Sequence, residues 1–365
     1  MKILLVTNKV KTYALGFRNV IETLTELGHQ VVWAADFSGF AGDLSEIPCM
    51  QKQIPIHSNP LKPTNLRALK MIKDIITQEN IQAVHCSTPI GGMLARLAAK
   101  QKGVKKIIYA AHGFLFFKGA PLLNRTVYKW QEQLMARWTD VLITITEEDR
   151  QAAGKFRLRS GKEPYLVHGA GVENGKTVTV DRNRKRQQLG IPEDAFVVLS
   201  AGFLNENKNN RVVIEAVKKL HKTNVHYVIC GEGKLRTKLE KLAADLGIEN
   251  QVHLLGYRTD IAEIMATSDL FVMPSFREGV PRALLEAMDA GIPCIGSDTR
   301  GIRELLSKEA LCDPKDAAAF ADRIVCVKNG APWVKDNLQK NRETAKKYSK
   351  EQVRQELLAV YQEVL

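Results

Sequence analysis

Two carboxylates, Glu278 and Glu286, lie on either side of a predicted loop-to-helix transition. Pro281 lies between them, and because proline suits the first position of a helix and is disfavoured further in, it predicts that a helix begins there. Glu278 then precedes the helix, and Glu286 lies about two turns inside it. Gly279 permits close approach to the backbone, where the N–H groups of a helix N-terminus attract an anion.

Carboxylates beside an anion site suit a ligand that combines phosphates with many hydroxyl groups. Carboxylate oxygens accept hydrogen bonds from the vicinal hydroxyls of ribose or hexose, while backbone amides and basic side chains bind a diphosphate. A nucleotide sugar has both features. The spacing by itself also fits a simpler interpretation, in which Glu286 joins Arg282 and Asp289 on an exposed helix face.

Short apolar runs predict the strands that position these carboxylates. Runs of this kind are typical of strands buried on both faces, and the segments between them carry apolar residues at helical spacing. Alternating strands and helices predict an α/β fold with parallel sheets. Two of the predicted helices cover residues 211–222 and 235–246. The predicted strands cover residues 3–6, 31–35, 83–86, 107–111, 141–145, 196–201, 227–230, 252–255, 270–273 and 294–296.

The length of 365 residues predicts two compact domains. A polar stretch at 173–190 interrupts the alternation, so we expect domains over 1–168 and 169–345, followed by a C-terminal helix within 346–365. Both domains are predicted to be doubly wound and Rossmann-like, and to face each other across a cleft with ligands beyond the carboxyl ends of the strands. The C-terminal helix either completes the second domain or packs back on the first.

The composition excludes several classes of protein. Hydrophobic residues make up 45% and charged residues 25% of the chain, which excludes a disordered, collagenous or coiled-coil protein. The 53 Lys and Arg against 40 Asp and Glu give a formal net charge of +13, which attracts phosphates, acidic lipids or nucleic acid. The six cysteines form no CxxC pair, so we expect no zinc site and a reducing, cytoplasmic compartment. No apolar run reaches about 18 residues, so neither a signal peptide nor a transmembrane helix is expected.

Several further motifs surround the two carboxylates in a fixed order. The segment EGVPRALLE has the pattern E-x7-E, follows an apolar strand that ends in MPS, and precedes AMDAGIPCIGSD and RGIRELL. GEGKLRTKLE, LGYRTDI and AAHGFLFFKGAP occur earlier in the chain. Together these motifs resemble the retaining GT-B glycosyltransferases of family 4, and the likeness covers nearly the whole chain. AAHGFLFFKGAP is similar to segments of family members that build bacterial capsular polysaccharide or exopolysaccharide.

The resemblance implies a role for each candidate residue of the donor domain. Glu278 would contact the hydroxyls of the donor sugar near the reacting carbon, and Glu286 would bind the ribose hydroxyls. The amides of Gly279 and Val280 would meet the diphosphate.

The segment SAGFLNENKN matches the phosphate-clamping loop of the family, with Gly202 near its start and Lys208 as the clamping lysine. The family often has an arginine where this chain has Phe203, so a clamp of two cations requires another residue such as Arg258. Arg258 follows the predicted strand at 252–255, where the family holds the nucleotide base. An ordinary exposed loop arginine is the alternative.

His112 follows the predicted strand at 107–111, where the resemblance places a histidine close to the donor sugar. A neutral imidazole donates or accepts a hydrogen bond near pH 7, and a cap of the next helix is the alternative role. The loop at 7–16 has a single glycine where the family carries a pair, and it is assigned to the acceptor side. Its residues predicted near the acceptor are Lys9, Lys11 and Tyr13.

The resemblance implies an enzyme that transfers a hexosyl unit from a nucleotide diphosphate sugar, expected to be UDP-linked, to a hydroxyl of a lipid-linked glycan. The reaction would serve cell-surface polysaccharide synthesis and retain the anomeric configuration. No cofactor or metal is expected, because a helix terminus and Lys208 can neutralise the leaving diphosphate and no DxD signature is present. The alternatives are a UDP-sugar 2-epimerase of the same architecture and a nucleic-acid-binding protein, which the lack of interleaved aromatic residues and of a basic tail disfavours.

Most of the positive charge is not assigned to the donor site. It predicts that the enzyme lies peripherally on an anionic membrane, at the inner face, where a lipid-linked acceptor would be presented. The basic residues predicted to face the membrane are Lys100, Lys102, Lys105, Lys106 and Lys118.

Overall fold

A computed structural model gives the fold of the chain as two units. The first unit comprises Met1–Gly171 and Lys350–Leu365, and the second comprises Val172–Ser349. The structure describes residues 1–11, 15–117, 120–169, 171–173 and 178–365. Tyr13, predicted near the acceptor, and Lys118, predicted near the membrane, lie outside the described residues.

The first unit contains a parallel sheet of seven strands, in the order β3-β2-β1-β4-β5-β6-β7. Alternate residues of the central strand enter two different cores: Leu4 and Val6 pack on one face, and Ile3 and Leu5 on the other. Burial on both faces explains why this strand is a continuous apolar run. The strands are β1 Lys2–Lys9, β2 Gln30–Asp36, β3 Met50–Gln53, β4 Ala83–Ser87, β5 Lys106–Ala111, β6 Val141–Thr144 and β7 Tyr165–Leu166.

Helices cover both faces of this sheet. One of them, α4, is preceded by a turn of π-helix at Asn124–Tyr128. The helices that precede residue 171 are α1 Leu15–Glu26, α2 Thr64–Gln78, α3 Pro89–Gln101, α4 Lys129–Ala136 and α5 Glu147–Ala153.

The second unit repeats the same topology with six parallel strands, in the order β10-β9-β8-β11-β12-β13. Its strands are β8 Phe196–Ala201, β9 Val225–Cys230, β10 Val252–Gly256, β11 Leu270–Met273, β12 Cys294–Ser297 and β13 Leu311–Cys312. Its helices are α6 Arg182–Gln188, α7 Asn210–Lys219, α8 Arg236–Asp245, α9 Ile261–Ala266, α10 Arg282–Asp289, α11 Ala317–Lys328 and α12 Pro332–Lys347. The predicted α/β class with two Rossmann-like parallel sheets is confirmed.

The last helix, α13 Lys350–Val364, belongs to the first unit although it follows the second in sequence. Its apolar stripe is buried in the same core as Ile3 and Leu5, next to α1. The hydroxyl of Tyr361 lies 2.9 Å from Nε2 of His85 in β4. The stripe consists of Val353, Leu357, Val360 and Tyr361.

Three strands were not predicted, and a helix lies where a break in the alternation was expected. The strands β3, β7 and β13 are short, and β3 has the polar sequence MQKQ, so none forms a recognisable apolar run. The polar stretch at 173–190 was expected to be a break, but its second half forms α6. Asp181 caps this helix, and Arg186 is buried because carbonyl groups and Asp269 bind its guanidinium. Within the described ranges, no helix combines the length and apolar composition needed to cross a bilayer.

Candidate functional site

Lys208 and Glu278 form an ion pair at the carboxyl edge of the second sheet. The Nζ of Lys208 lies 2.7 Å from Oε1 of Glu278, and the two side chains are 22% and 13% exposed. Lys208 follows β8 and Glu278 follows β11, and these two strands are neighbours. Parallel strands end at the same edge of a sheet, and this brings together residues that are 70 positions apart.

Asparagines hold the loop of Lys208 against the loop of Glu278. The Oδ1 of Asn205 accepts a hydrogen bond from the Lys208 amide at 3.1 Å. Asn207 and Asn209 donate from their side-chain amides to carbonyl oxygens of the loop after β11, at 2.9 and 3.1 Å. Asn209 also has a positive φ of 51°, which asparagine tolerates better than most residues. These bonds fix the separation of the cation and the carboxylate before any ligand binds.

Gly301 supports the Glu278 loop from the other side. Its φ is +81°, and a Cβ at this position would lie 1.8 Å from the carbonyl oxygen of Gly279. The backbone after β12 therefore packs directly on the backbone of Gly279, which a side chain would prevent. Gly301 is the glycine of the RGIRELL motif, and this contact gives the motif a structural role.

The loop after β8 is held by a second backbone contact. A Cβ at Gly231 would lie 1.9 Å from the carbonyl oxygen of Gly202, and the Gly202 amide donates to the Cys230 carbonyl at 2.9 Å. Gly202 in turn lies under the stem of Lys208, because a Cβ on Gly202 would be 3.1 Å from Cε of the lysine. The sequence signal for this contact was the glycine that directly follows β9.

Helix α10 begins beside this ion pair without a side-chain cap. Its N-cap residue is Pro281, with an extended backbone, so the helix begins one residue later than predicted. Pro281 itself makes no side-chain hydrogen bond to the first amides of the helix. Gly279 and Val280 lie directly before the cap, so their backbone leads into an open helix terminus that can accept an anion.

Glu286 is the fifth residue of α10, just over one turn into the helix rather than the predicted two. Its side chain is 34% exposed, with Oε1 3.8 Å from Nη2 of Arg282. Both residues and Asp289 line a cavity of about 570 Å³, with Ile261 and Met265 among its apolar walls. The face of α10 that carries Arg282, Glu286 and Asp289 is therefore more than an exposed helix surface. It borders a concave site of the size that small ligands occupy.

Arg258 is tied to an acidic residue of its own loop. Its Nε and Nη2 donate to the two carboxylate oxygens of Asp260 at 2.8 and 2.6 Å. The hydrogen bond from Arg258 holds the pKa of Asp260 well below its usual range, and Lys185 binds the same carboxylate at 2.6 Å. The charge of Arg258 is therefore balanced by Asp260, while Phe203, in the loop after β8, is 74% exposed.

In the first unit, His112 directly follows β5 and is exposed at the carboxyl edge of its sheet. Enough protein surrounds the imidazole to lower its pKa by desolvation, although the residue keeps solvent contact. His112 and the buried His85 line one small cavity of about 30 Å³. Desolvation, followed by the nearby charge of His112, lowers the pKa of His85 to about 3. Both rings are therefore neutral near pH 7.

The N-terminus of α3, in the same unit, is occupied by a side chain of the chain itself. The Oδ1 of Asn8 accepts a hydrogen bond from the Gly91 amide at 2.9 Å and from Oγ1 of Thr88 at 2.9 Å. Two adjacent glycines, Gly91 and Gly92, lie in the first turn of this helix. Among the residues that the structure describes, no group of three His, Cys, Asp or Glu could hold a metal ion.

Fold and site together define a two-domain, Rossmann-like protein that presents a lysine, carboxylates and an open helix terminus to a ligand. Comparison with known proteins identifies the family within this class. The model for "Glycosyl transferases group 1" matches residues 181–352, and the model for "Glycosyltransferase Family 4" matches residues 16–162. The chain belongs to this glycosyltransferase family, so the resemblance inferred from the motifs is confirmed and the epimerase alternative is not favoured.

Individual relatives agree with this assignment. EpsD of Bacillus subtilis (strain 168), named as a glycosyltransferase, is 36% identical over 318 residues, which are 84% of this chain and 83% of EpsD. The UDP-Gal:alpha-D-GlcNAc-diphosphoundecaprenol alpha-1,3-galactosyltransferase of Escherichia coli is 31% identical over 283 residues, 73% of each chain. The crystal structure of Anabaena Alr3699/HepE in complex with UDP has the same fold, with a TM-score of 0.76, 19% identity and complete coverage of both chains.

Proposed function

We propose that this glycosyltransferase moves a hexosyl unit from a UDP-linked sugar to a hydroxyl of a lipid-linked glycan during synthesis of a cell-surface polysaccharide. The observation that carries the proposal is the Lys208–Glu278 pair beside the uncapped start of α10. A cation and a helix terminus suit a diphosphate, and a carboxylate suits sugar hydroxyls. In this proposal residues 1–168 bind the acceptor, residues 169–345 bind the donor, and the C-terminal segment 346–365 completes the chain.

Donor binding would exchange the partners of the ion pair. Lys208 would turn from Glu278 to the diphosphate, and Glu278 would then accept hydrogen bonds from the hydroxyls of the transferred sugar. The amides of Gly279 and Val280 would bind the same diphosphate, because they precede the open terminus of α10. Gly202 leaves room for the stem of Lys208 to make this movement.

The remaining candidates have positioning roles in this proposal. Glu286 binds the ribose hydroxyls, because it lines the cavity next to α10. The guanidinium of Arg258 stacks on the base, since its charge is balanced by Asp260 and its flat face suits an aromatic ring. His112, exposed after β5, donates or accepts a hydrogen bond at the donor sugar.

The transfer itself would proceed with retention of configuration. The bond between the anomeric carbon and the phosphate oxygen breaks, the acceptor oxygen forms its bond on the same face, and the acceptor proton passes to the departing phosphate. Lys208 and the amides at α10 stabilise the negative charge that develops on the leaving UDP. They would supply this stabilisation without a metal ion.

The names of two relatives support the choice of ligands. HepE has been crystallised with UDP, and the E. coli relative is named for transfer from UDP-Gal to a diphosphoundecaprenol-linked sugar. A lipid-linked acceptor also agrees with the net charge of +13, which favours an anionic membrane surface at the cytoplasmic face.

A thermal-shift panel of UDP and UDP-sugars tests the donor first, because a ligand that binds the native state raises the melting temperature with its affinity. We expect UDP and one UDP-sugar to stabilise the protein. UDP release should then require an acceptor, and the product should have the anomeric configuration of the donor. UDP release without acceptor, accompanied by a 2-epimer of the donor, would instead identify an epimerase.

The metal-free assignment has its own test. Transfer rates should be unchanged after treatment with a chelator, because Lys208 and the start of α10 neutralise the diphosphate. Loss of activity in chelator that is restored by added Mg²⁺ or Mn²⁺ contradicts this assignment.

A further inference from the structure

His85 is a buried histidine in an otherwise apolar part of the first unit. It is the third residue of β4 and is 1% exposed, next to core residues such as Ala83 and Ile108. Its Nδ1 has no hydrogen-bond partner among the residues that the structure describes. A buried imidazole nitrogen without a partner is less favourable than an apolar side chain in the same place, so this one indicates a polar role.

The other ring nitrogen of His85 is bound by the last helix. The hydroxyl of the buried Tyr361 in α13 lies 2.9 Å from Nε2, and the two rings meet edge-on. Burial raises the pKa of Tyr361 and lowers the pKa of His85, so both groups are neutral. The phenol is the more acidic of the two, so its hydroxyl donates to Nε2. The proton of the His85 ring then lies on Nδ1.

A cavity of about 30 Å³ connects this pair to His112. His85, Tyr361 and His112 all line it, and of the three only His112 has contact with solvent. A cavity of this volume can hold a water molecule when polar groups line it. The cavity therefore joins a buried histidine to the histidine that we assign to the donor sugar.

The charges around this cavity favour neutral rings. The nearby charge of His112 adds to the burial that lowers the pKa of His85, and desolvation lowers the pKa of His112. Of the described residues that line the cavity, no others are titratable, and the remaining side chains are apolar except for the amide of Asn19. His168 lies between two lining residues, but its Nδ1 is 2.7 Å from Oε1 of Glu356 in α13.

We propose that Tyr361 and His85 are positioning residues for His112 and act through water in the cavity that the three side chains line. The Nδ1–H of His85 donates to this water, and the water donates to the ring nitrogen of His112 that faces the cavity. The proton of His112 then lies on its other nitrogen, so the ring is a hydrogen-bond donor toward the ligand. The inference rests on the proposed function, because there His112 contacts the donor sugar.

Tyr361→Phe tests the chain of hydrogen bonds at its far end, because it removes the hydroxyl and keeps the buried ring. We expect a kcat about tenfold lower with an unchanged donor KM, since His112 loses its fixed tautomer while the second unit is intact. The water no longer favours neutral His112, so its pKa should rise. The acid limb of the pH profile of kcat should therefore move to higher pH.

Tyr165→Phe is the matched control. It also removes a tyrosine hydroxyl bound to α13, because Tyr165 donates to Oε1 of Glu363 at 2.7 Å, but Tyr165 does not line the cavity. Its kcat and pH profile should be those of the unmodified protein. Equal effects of Tyr165→Phe and Tyr361→Phe would contradict the proposal.

Two substitutions of His85 separate the roles of its nitrogens. The side-chain amide of asparagine places a donor where Nδ1 lies, whereas that of glutamine reaches the position of Nε2. His85→Asn should therefore retain more of kcat than His85→Gln, because only asparagine keeps a donor toward the cavity. An equal loss of kcat in both variants contradicts the role of Nδ1.

Coupling to His112 is a readout that a purely structural role would not change. The double variant Tyr361→Phe with His112→Ala should have the kcat of His112→Ala alone, because Tyr361 acts through the imidazole. A further loss as large as that of the single variant Tyr361→Phe would show that Tyr361 only supports the fold, and this outcome overturns the proposal.

Nitrogen NMR spectra of the histidine rings test the tautomer without any ligand. His112 should have one neutral tautomer in the unmodified protein and a mixture of both in Tyr361→Phe, with the signals assigned from His112→Ala. An unchanged tautomer in Tyr361→Phe overturns this inference alone, even if UDP binds and transfer occurs. Failure of UDP to stabilise the unmodified protein instead contradicts the donor assignment, and the spectra still decide whether Tyr361 and His85 position His112.

Discussion

The two sheets have the same strand order, yet the helices that follow their fourth strands differ at the N-terminus. In the first unit α3 follows β4, and its terminus holds Oδ1 of Asn8, which accepts from the Gly91 amide. In the second unit α10 follows β11 and has no side-chain cap among the described residues, with Lys208 and Glu278 paired beside it. A shared topology therefore provides two helix termini, and a side chain of the protein itself caps the first of them.

The surroundings of the two termini differ as well. Asparagine side chains and glycine backbone contacts fix the loops around α10, and Gly301 packs on Gly279 so closely that no side chain fits. The corresponding edge of the first unit presents the exposed His112. A preorganised charge site can stabilise a leaving group without reorganisation, whereas an exposed edge leaves space for an acceptor.

Removal of the lysine tests this difference most strongly. Lys208→Ala should lower kcat by about 100-fold or more, because the developing charge on the diphosphate loses its cation. Initial rates of UDP formation with acceptor measure the effect. Lys241→Ala, an exposed lysine of α8, is the matched control and should have unmodified rates. Full activity of Lys208→Ala would remove this lysine from the site.

Gly301→Ala should damage the second site through its backbone. A positive φ costs an alanine about 1–2 kcal/mol, and the contact with the Gly279 carbonyl adds a displacement of the Glu278 loop. Gly247→Ala has a similar φ of +64° with no atom within 4 Å of its Cβ, so it isolates the cost of φ alone. Compared with Gly247→Ala, the Gly301→Ala variant should have a lower free energy of unfolding in denaturant and a higher donor KM. Equal effects of the two variants would show that the contact does not support the loop.

Glu286→Ala should raise the donor KM by about 10- to 100-fold, the loss expected for hydrogen bonds to a charged group. The reason is that we assign its carboxylate to the ribose hydroxyls, which are the same in the ground state and the transition state. Glu240→Ala, in α8, provides a control carboxylate on a helix outside the site. An unchanged donor KM for Glu286→Ala contradicts the ribose assignment.

Asn8→Ala should have the smallest effect. It tests the comparison at the N-terminus of α3 instead of α10. Loss of the side-chain acceptor at the start of α3 should lower the free energy of unfolding by about 1 kcal/mol, as for other N-terminal caps. The donor KM should not change, because we assign the diphosphate to α10. Thermal unfolding and donor kinetics of this variant give the two values, and a raised donor KM would show that the first terminus also takes part in donor binding.

Several features of the fold and of the site were predictable from local sequence. The strands β8 and β11 were predicted with their observed bounds because they are continuous apolar runs. The E-x7-E pattern and the lysine of NENKN pointed to Glu278 and Lys208. The short edge strands and α6 were missed, because two-residue pairings and a buried Arg186 depend on neighbours distant in sequence.

The sequence by itself determined the alternation of strands and helices, the family, and the residue types available for binding a nucleotide sugar. Tertiary structure decided that Lys208 pairs with Glu278 and that α13 completes the core of the first unit. It also decided that Asn8 caps the N-terminus of α3, whereas the N-cap residue of α10 makes no side-chain hydrogen bond. The physical reason is the distance along the sequence over which each interaction acts. Apolar periodicity and turn residues act over a few positions, whereas ion pairs, caps and backbone contacts join residues that only the parallel sheets bring together.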